Sequence, residues 1–131
     1  MATSKVRARA IKNGYRSGLE EKLALQLQEA GVNYEYESFK IAYELSEIRK
    51  YTPDFRLPNG IIIESKGLFK TEDRKKHLLI QKQHPEYDIR FVFSNARAKL
   101  NKGSKTTYAD WADKHGFKWS DKVIPDDWIN E

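Results

Sequence analysis

The tripeptide Pro58–Asn59–Gly60 constrains this chain more than any other stretch. Pro pre-sets a bend while Asn and Gly tolerate positive φ, so the three together dictate a tight chain reversal. Residues 55–57 before it are short and apolar, and residues 61–63 after it are a β-branched Ile run, so the segment reads as a β-hairpin. The length of the turn sets the register. With a three-residue loop Leu57 faces Ile61, Asp54 lies opposite Glu64, and Lys66, two residues further on, shares the face of Glu64. A two-residue loop would pair Asp54 with Ser65 and break the cluster. In the three-residue register, two carboxylates and an ammonium converge at the open end of one ribbon.

The remainder of the chain predicts an α/β domain. A first helix starts at Ser17, where Ser17 and Glu20 form a capping box, buries Leu19, Leu23, Leu27 and Ala30, and stops at Gly31. Residues 32–43 alternate as one bent strand or two short ones, with a slip near Ser38; residues 44–50 read as a connection. A second helix runs from Thr71, taken as its cap, to about Gln83 and ends at His84–Pro85. Residues 88–94 form a buried strand, residues 107–115 a helix capped by Thr107 and ended by Gly116, and Phe117 and Trp119 mark a last short strand. Trp128 packs the tail back onto the body. Residues 1–16 are basic and aperiodic, a flexible arm, and residues 17–131 form a single domain with a mixed sheet and helices packed on it.

Composition narrows the function classes. Three Trp, seven Tyr and six Phe supply a core despite a one-third share of charged residues. Without cysteine there is no disulfide, thiolate metal site or cysteine nucleophile, which fits the cytoplasm. No stretch is long and apolar enough to span a bilayer, and the N-terminus has no signal-peptide core. The net charge of +5 is uneven: residues 1–16 carry Lys5, Arg7, Arg9, Lys12 and Arg16 with no acid, and residues 97–105 carry Arg97, Lys99, Lys102 and Lys105 with no acid. Such clusters suit a polyanion, with ordinary solvated surface as the alternative. Arg74, Lys75 and Lys76 on the second helix follow the hairpin closely and are further phosphate-contact candidates.

The hairpin cluster suits phosphodiester hydrolysis, which needs an activated water and charge neutralisation on the phosphoryl group. A divalent cation on hard oxygen ligands supplies both, and Lys66 would orient or help deprotonate the water, or stabilise transition-state charge. Pro53–Asp54, ten residues, then Glu64–Ser65–Lys66 is similar to the PD-(D/E)xK nuclease motif. Glu20–Glu21–Lys22 and Asp73–Arg74–Lys75 also fit its second half and Pro125–Asp126 its first, but only the hairpin puts both halves on adjacent strands. His77, His84 and His115 lack metal-ligand spacing; His77 is read as an exposed helix residue or a neighbour of the scissile phosphate.

A longer set of segments resembles the phage endonuclease I family of Holliday-junction resolvases: Arg16–Ser17–Gly18–Leu19–Glu20, Tyr51–Thr52–Pro53–Asp54–Phe55, Leu57–Pro58–Asn59–Gly60–Ile61, Glu64–Ser65–Lys66–Gly67–Leu68 and Asp73–Arg74–Lys75–Lys76–His77–Leu78–Leu79–Ile80. The resemblance runs from about residue 14 to 129 and implies a restriction-endonuclease-like mixed sheet flanked by helices. It implies Mg²⁺ or Mn²⁺, two ions per site, on Asp54, Glu64 and the Ser65 carbonyl, with Glu20 reaching the second ion and Lys66 assisting the water. It also implies an intertwined homodimer in which Glu20 of one chain completes the site of the other, acting on branched DNA in an infected bacterial host. The sequence departs from the family in reaching Glu131 without a lysine-rich tail, and in Ser65 within the triplet, whose side chain matters little if only its carbonyl binds metal. A nuclease for linear duplex and a non-catalytic DNA-binding protein are the competing expectations.

Overall fold

The structure, a computed structural model, describes residues 14–44 and 47–131. Most of the expected basic arm therefore lies outside the described residues. Its last part is held to the body: the Tyr15 and Tyr34 hydroxyls lie 2.6 Å apart, and the Arg16 guanidinium pairs with Glu37 at 3.1 Å.

Four helices, α1 (Gly18–Glu29), α2 (Thr71–Gln83), α3 (Tyr108–Lys114) and α4 (Asp126–Ile129), accompany seven strands among the described residues. The strands are β1 (Glu35–Tyr36), β2 (Ile41–Glu44), β3 (Ile48–Tyr51), β4 (Phe55–Arg56), β5 (Ile62–Lys66), β6 (Ile89–Phe93) and β7 (Trp119–Asp121). A five-stranded sheet runs β1-β4-β5-β6-β7, antiparallel through the first three strands and parallel from β5 to β7, and β2 and β3 form a separate hairpin. The mixed sheet is the one expected. The parallel pairs are joined by crossovers through α2 and α3, as parallel neighbours require.

The central hairpin adopts the three-residue register. Phe55 pairs with Ile63 and Arg56 with Ile62, and the Leu57 N–H donates to the Ile61 carbonyl at 2.8 Å. Gly60 sits at φ +92°, a value that a side chain would strain. The Asn59 side chain finishes the turn: its Oδ1 accepts from the Ile61 N–H at 3.1 Å and its Nδ2 donates to the Trp128 carbonyl at 2.8 Å.

Strand alternation divides the core in two. Phe55, Leu57, Ile61, Ile63 and Val92 meet Leu23, Ala24 and Leu27 of α1 and Trp128 of α4. On the other face Ile62 and Ile89 meet Ile80 of α2 and Ile41 and Tyr51 of the small hairpin, while Phe91 and Phe93 join an aromatic cluster with Phe69, Tyr108, Trp111 and Phe117. The C-terminus is pinned by Arg90, whose buried guanidinium binds Asp88 and Glu131, each at 2.7 Å.

Several local expectations are corrected. Residues 48–51 are strand β3 rather than connection, because hairpin pairing with β2 buries Tyr51. The slip near Ser38 is a full break: Glu37 takes φ +47° and separates β1 from β2, which belong to different sheets. Thr71 is the first residue of α2, not its cap; Lys70 precedes the helix without a capping bond. Ser17 does cap α1, accepting from the Glu20 N–H at 3.1 Å, but the Glu20 carboxylate turns to the Arg16 N–H and Tyr36 hydroxyl and so leaves the box half made. Ala30 is exposed and Ala24 takes its place in the buried stripe. The short helix α4 had no sequence expectation.

Asn59→Ala removes the side-chain bond that closes the turn on Ile61 and the one that ties it to α4. It is expected to lower unfolding stability by about 1–2 kcal/mol in urea titration, and a loss below a quarter of that would show the turn holds without them.

Candidate active site

Pairing in the central hairpin stops at Phe55–Ile63, so Asp54 is released at the open end. Its Oδ2 reaches across to accept from the Ser65 N–H at 2.9 Å and the Ser65 hydroxyl at 2.8 Å. The Ser65 side chain, expected to matter little, thus holds a site carboxylate. Glu64 and Lys66 project to the α2 face. The Lys66 ammonium lies 3.7 Å from Glu64 Oε1 and 3.8 Å from Asp73 Oδ1, and Lys76 lies 3.8 Å from that same Asp73 oxygen. Glu64 Oε2 accepts from the Tyr51 hydroxyl, and Lys76 stands 5.3 Å over the Tyr51 ring.

Asp54 and Glu64 are 7% and 4% exposed, which explains their protonation behaviour. Burial pushes the Asp54 carboxyl well above the usual range, and the charges of Glu64 and then Glu20 push it further, against the two Ser65 bonds. Burial likewise raises Glu64, opposed by Lys66, the Tyr51 hydroxyl, Lys76 and the Asp54 backbone. The influence of Glu20 on Asp54 places the α1 carboxylate within the field of the hairpin acids. Burial and the neighbouring Lys66 push Lys76 down.

At Ser65 and Lys66 opens a cleft of about 550 Å³, walled also by Glu20, Lys22, Leu68 and Lys122 among others. Lys22 and Lys122 were not anticipated; their signal was only scattered positive charge. Lys122 takes φ +70°, a conformation uncommon for a residue with a side chain. Tyr51 and Asp73 were also missed as site neighbours, since neither a core tyrosine nor a first-turn helix acid stands out in a sequence.

The basic candidates separate. Arg97, Lys99, Lys102 and Lys105 are exposed, outside the walls of the cleft, as is Lys75. Arg74 is turned inward instead: its guanidinium donates to the Phe69 carbonyl at 2.5 Å and the Thr71 hydroxyl at 3.0 Å, bracing the start of α2. His77 is neither exposed nor phosphate-facing. It is fully buried, edge-on to Tyr51 and Phe91 at 5.1 and 4.9 Å, and its ring nitrogens find no hydrogen-bond partner among the described residues. Burial, with Lys66 and Lys76 nearby, depresses its pKa well below 6.5 and keeps it neutral.

Among the described residues no three acidic or histidine side chains are already drawn together as a metal-binding group. The chemistry of Asp54 and Glu64 nevertheless suits a hard cation: two neighbouring carboxylates whose charged forms burial penalises are relieved by a shared positive charge.

A hairpin that carries Pro53–Asp54 on one arm and Glu64–Ser65–Lys66 on the other, at the edge of a cleft in a mixed α/β sheet, defines the PD-(D/E)xK class. The sequence pattern of the phage endonuclease I family matches residues 1–131, and the chain belongs to that family. Endonuclease I of Escherichia phage T7 is 55% identical over 118 residues, covering 89% of this chain and 79% of that protein. Endodeoxyribonuclease 1 of Enterobacteria phage T3 is 56% identical over 112 residues, covering 85% and 74%.

A folded-state pKa above the unfolded value means that the folded protein holds more protons between the two, so stability falls as pH rises through that window. Asp54→Asn keeps an acceptor for Ser65 and removes the charge. In EDTA at pH 7 it is expected to raise the thermal midpoint by about 3–6 °C, with the gain fading below about pH 4 where the unfolded carboxyl is itself protonated. An unchanged or lowered midpoint at pH 7 would contradict a charge penalty at Asp54.

Proposed function

We propose that this chain is a metal-dependent DNA endonuclease that resolves four-way junctions and other branched DNA by phosphodiester hydrolysis. The observation that carries the reading is the convergence of buried Asp54 and Glu64 with Lys66, which itself lines a cleft rimmed by lysines. Membership of the phage endonuclease I family and the names of its relatives support DNA as the substrate and strand cleavage as the reaction. The junction preference rests on the resemblance of the segments from residue 16 to residue 80.

A divalent cation, Mg²⁺ or Mn²⁺, would be held by Asp54, Glu64 and the Ser65 carbonyl, with a second toward Glu20, and would supply phosphoryl charge neutralisation and an acidified water. The chain's own groups do the rest. Lys66 faces the phosphoryl oxygens from the side of Glu64 and orients the attacking water or stabilises the charge that develops. Asp73 holds Lys66 and Lys76 at the mouth of the site. Lys22 and Lys122 meet backbone phosphates along the cleft, adding salt-dependent affinity without sequence choice. The exposed Arg97, Lys99, Lys102 and Lys105 extend that electropositive surface.

The working form is an intertwined homodimer with composite sites. Glu20 belongs to α1, whose contacts with the hairpin, including those of Leu23, Ala24 and Leu27, are all long-range in sequence. Such contacts are met equally well by the same element of a second copy, the condition for exchange between protomers.

Incubation of a labelled four-way junction and a linear duplex of the same sequence with Mg²⁺ tests the reading. Selective junction incision is expected; equal cutting of both would remove the junction preference, and binding without incision in Mg²⁺ or Mn²⁺ would remove the nuclease. Asp54→Ala is expected to lose more than tenfold of the cutting rate while junction binding persists. For the dimer, mixing a Glu20 variant with a Lys66 variant is expected to restore nicking, because one site of the mixed dimer is intact. Absence of rescue despite demonstrated subunit exchange would count against composite sites.

A further inference from the structure

Each hairpin carboxylate has one oxygen tied by a hydroxyl. On Asp54 it is Oδ2, which takes the Ser65 hydroxyl at 2.8 Å together with the Ser65 N–H at 2.9 Å. On Glu64 it is Oε2, which takes the Tyr51 hydroxyl. The opposite oxygens are differently placed. Glu64 Oε1 is turned to Lys66 at 3.7 Å, and no hydrogen bond ties Asp54 Oδ1 among the described residues.

The two hydroxyls come from separate parts of the fold. Ser65 lies within the triplet on β5, partly exposed beside the cleft. Tyr51 ends β3, in the other sheet, and is 3% exposed. Its ring is wedged edge-on against buried His77 at 5.1 Å and lies under the Lys76 ammonium at 5.3 Å, so the phenol has no room to swing away. The phenol O–H is the donor of the bond to Glu64. A donor held rigidly on one oxygen of a carboxylate fixes the rotation of that carboxylate and therefore the direction of the other oxygen.

We propose that Tyr51 and the Ser65 hydroxyl are the positioning residues of the metal site, each anchoring one oxygen of one acidic ligand so that Asp54 Oδ1 and Glu64 Oε1 are presented as the ligand pair. The inference rests on the metal-dependent reading above and assigns side chains that the nuclease motif does not specify. Tyr51 further ties the β2–β3 hairpin to the site, so the geometry of the acidic pair depends on an element outside the main sheet. The two hydroxyls act through the acids.

The test is calorimetric titration of Mn²⁺ into the metal-free full chain, with thermal unfolding as a control for the fold. Wild type is expected to bind and Asp54→Asn to lose binding. Tyr51→Phe and Ser65→Ala each remove one oxygen atom and are expected to weaken Mn²⁺ binding about tenfold or more, while Ser65→Thr, which restores a hydroxyl, is expected to return to within about threefold of wild type. A matching rise in the Mn²⁺ concentration for half-maximal junction cleavage, with little change in the rate at saturation, marks positioning rather than loss of chemistry. If Tyr51→Phe or Ser65→Ala binds Mn²⁺ within twofold of wild type, the assignment of that residue is overturned. If Tyr51→Phe unfolds, the Ser65→Ala and Ser65→Thr pair decides the inference for the site. If wild type itself takes up no Mn²⁺, the metal-dependent reading falls, a result distinct from normal binding by the hydroxyl variants.

Discussion

Burial of two carboxylates at the open end of one hairpin sets the terms for everything packed around it. Withdrawing an ion from water costs several kcal/mol even after relaxation, so each buried acid needs partners with good geometry. Asp54 obtains them from Ser65, and Glu64 from Tyr51 and Lys66. Those partners come from β3 and β5, while α2 contributes Asp73 and Lys76 and α1 contributes Glu20. The elements β3, α1 and α2 therefore bring polar groups to the same corner as well as apolar surface to the core.

The period of two in β5 makes this possible. Ile62, Glu64 and Lys66 face α2 and the small hairpin, whereas Ile63 and Ser65 face α1. Two hydrophobic clusters thus form on opposite faces while a single strand delivers chemistry to both. Asp54 lies just beyond the last hairpin pair, where it joins the two faces by reaching Ser65 from one side while feeling Glu64 from the other. A shift of one residue would exchange Glu64 for Ser65 on the α2 face and dismantle cluster and core together.

The hairpin was legible in the sequence because its turn chemistry is local, while the choice between a two- and a three-residue loop, and with it the register of the acids, came from the strand pairing. Helix ends marked by Ser17, Gly31, Thr107 and Gly116 were legible for the same reason. What escaped depends on contacts between distant segments. Residues 48–50 are exposed and two of the three are charged, so nothing in them announces a strand until β2 pairs with it. His77 sits in a charged helix and reads as exposed, yet Tyr51, Phe69 and Phe91 enclose it. Arg74 reads as a phosphate ligand until the Phe69 carbonyl and the Thr71 hydroxyl claim its guanidinium. Ser65 looked like a spacer because its role requires Asp54 to leave the hairpin ladder.

The charges around the hairpin end also do not balance. Glu20, Asp54, Glu64 and Asp73 face Arg16, Lys66 and Lys76, a formal excess of one negative charge. His77 adds no positive charge, because burial and the two lysines keep its ring neutral. Burial is the leading cause of the upward shifts at Asp54 and Glu64, and the charges of Glu64 and Glu20 add to it at Asp54. On the proposed reading, a divalent cation offsets the cost of burying two ionised carboxylates and displaces their protons, so metal affinity rises with pH while metal-free stability falls. The burial that makes the charged acids costly thus becomes the source of their affinity for a cation.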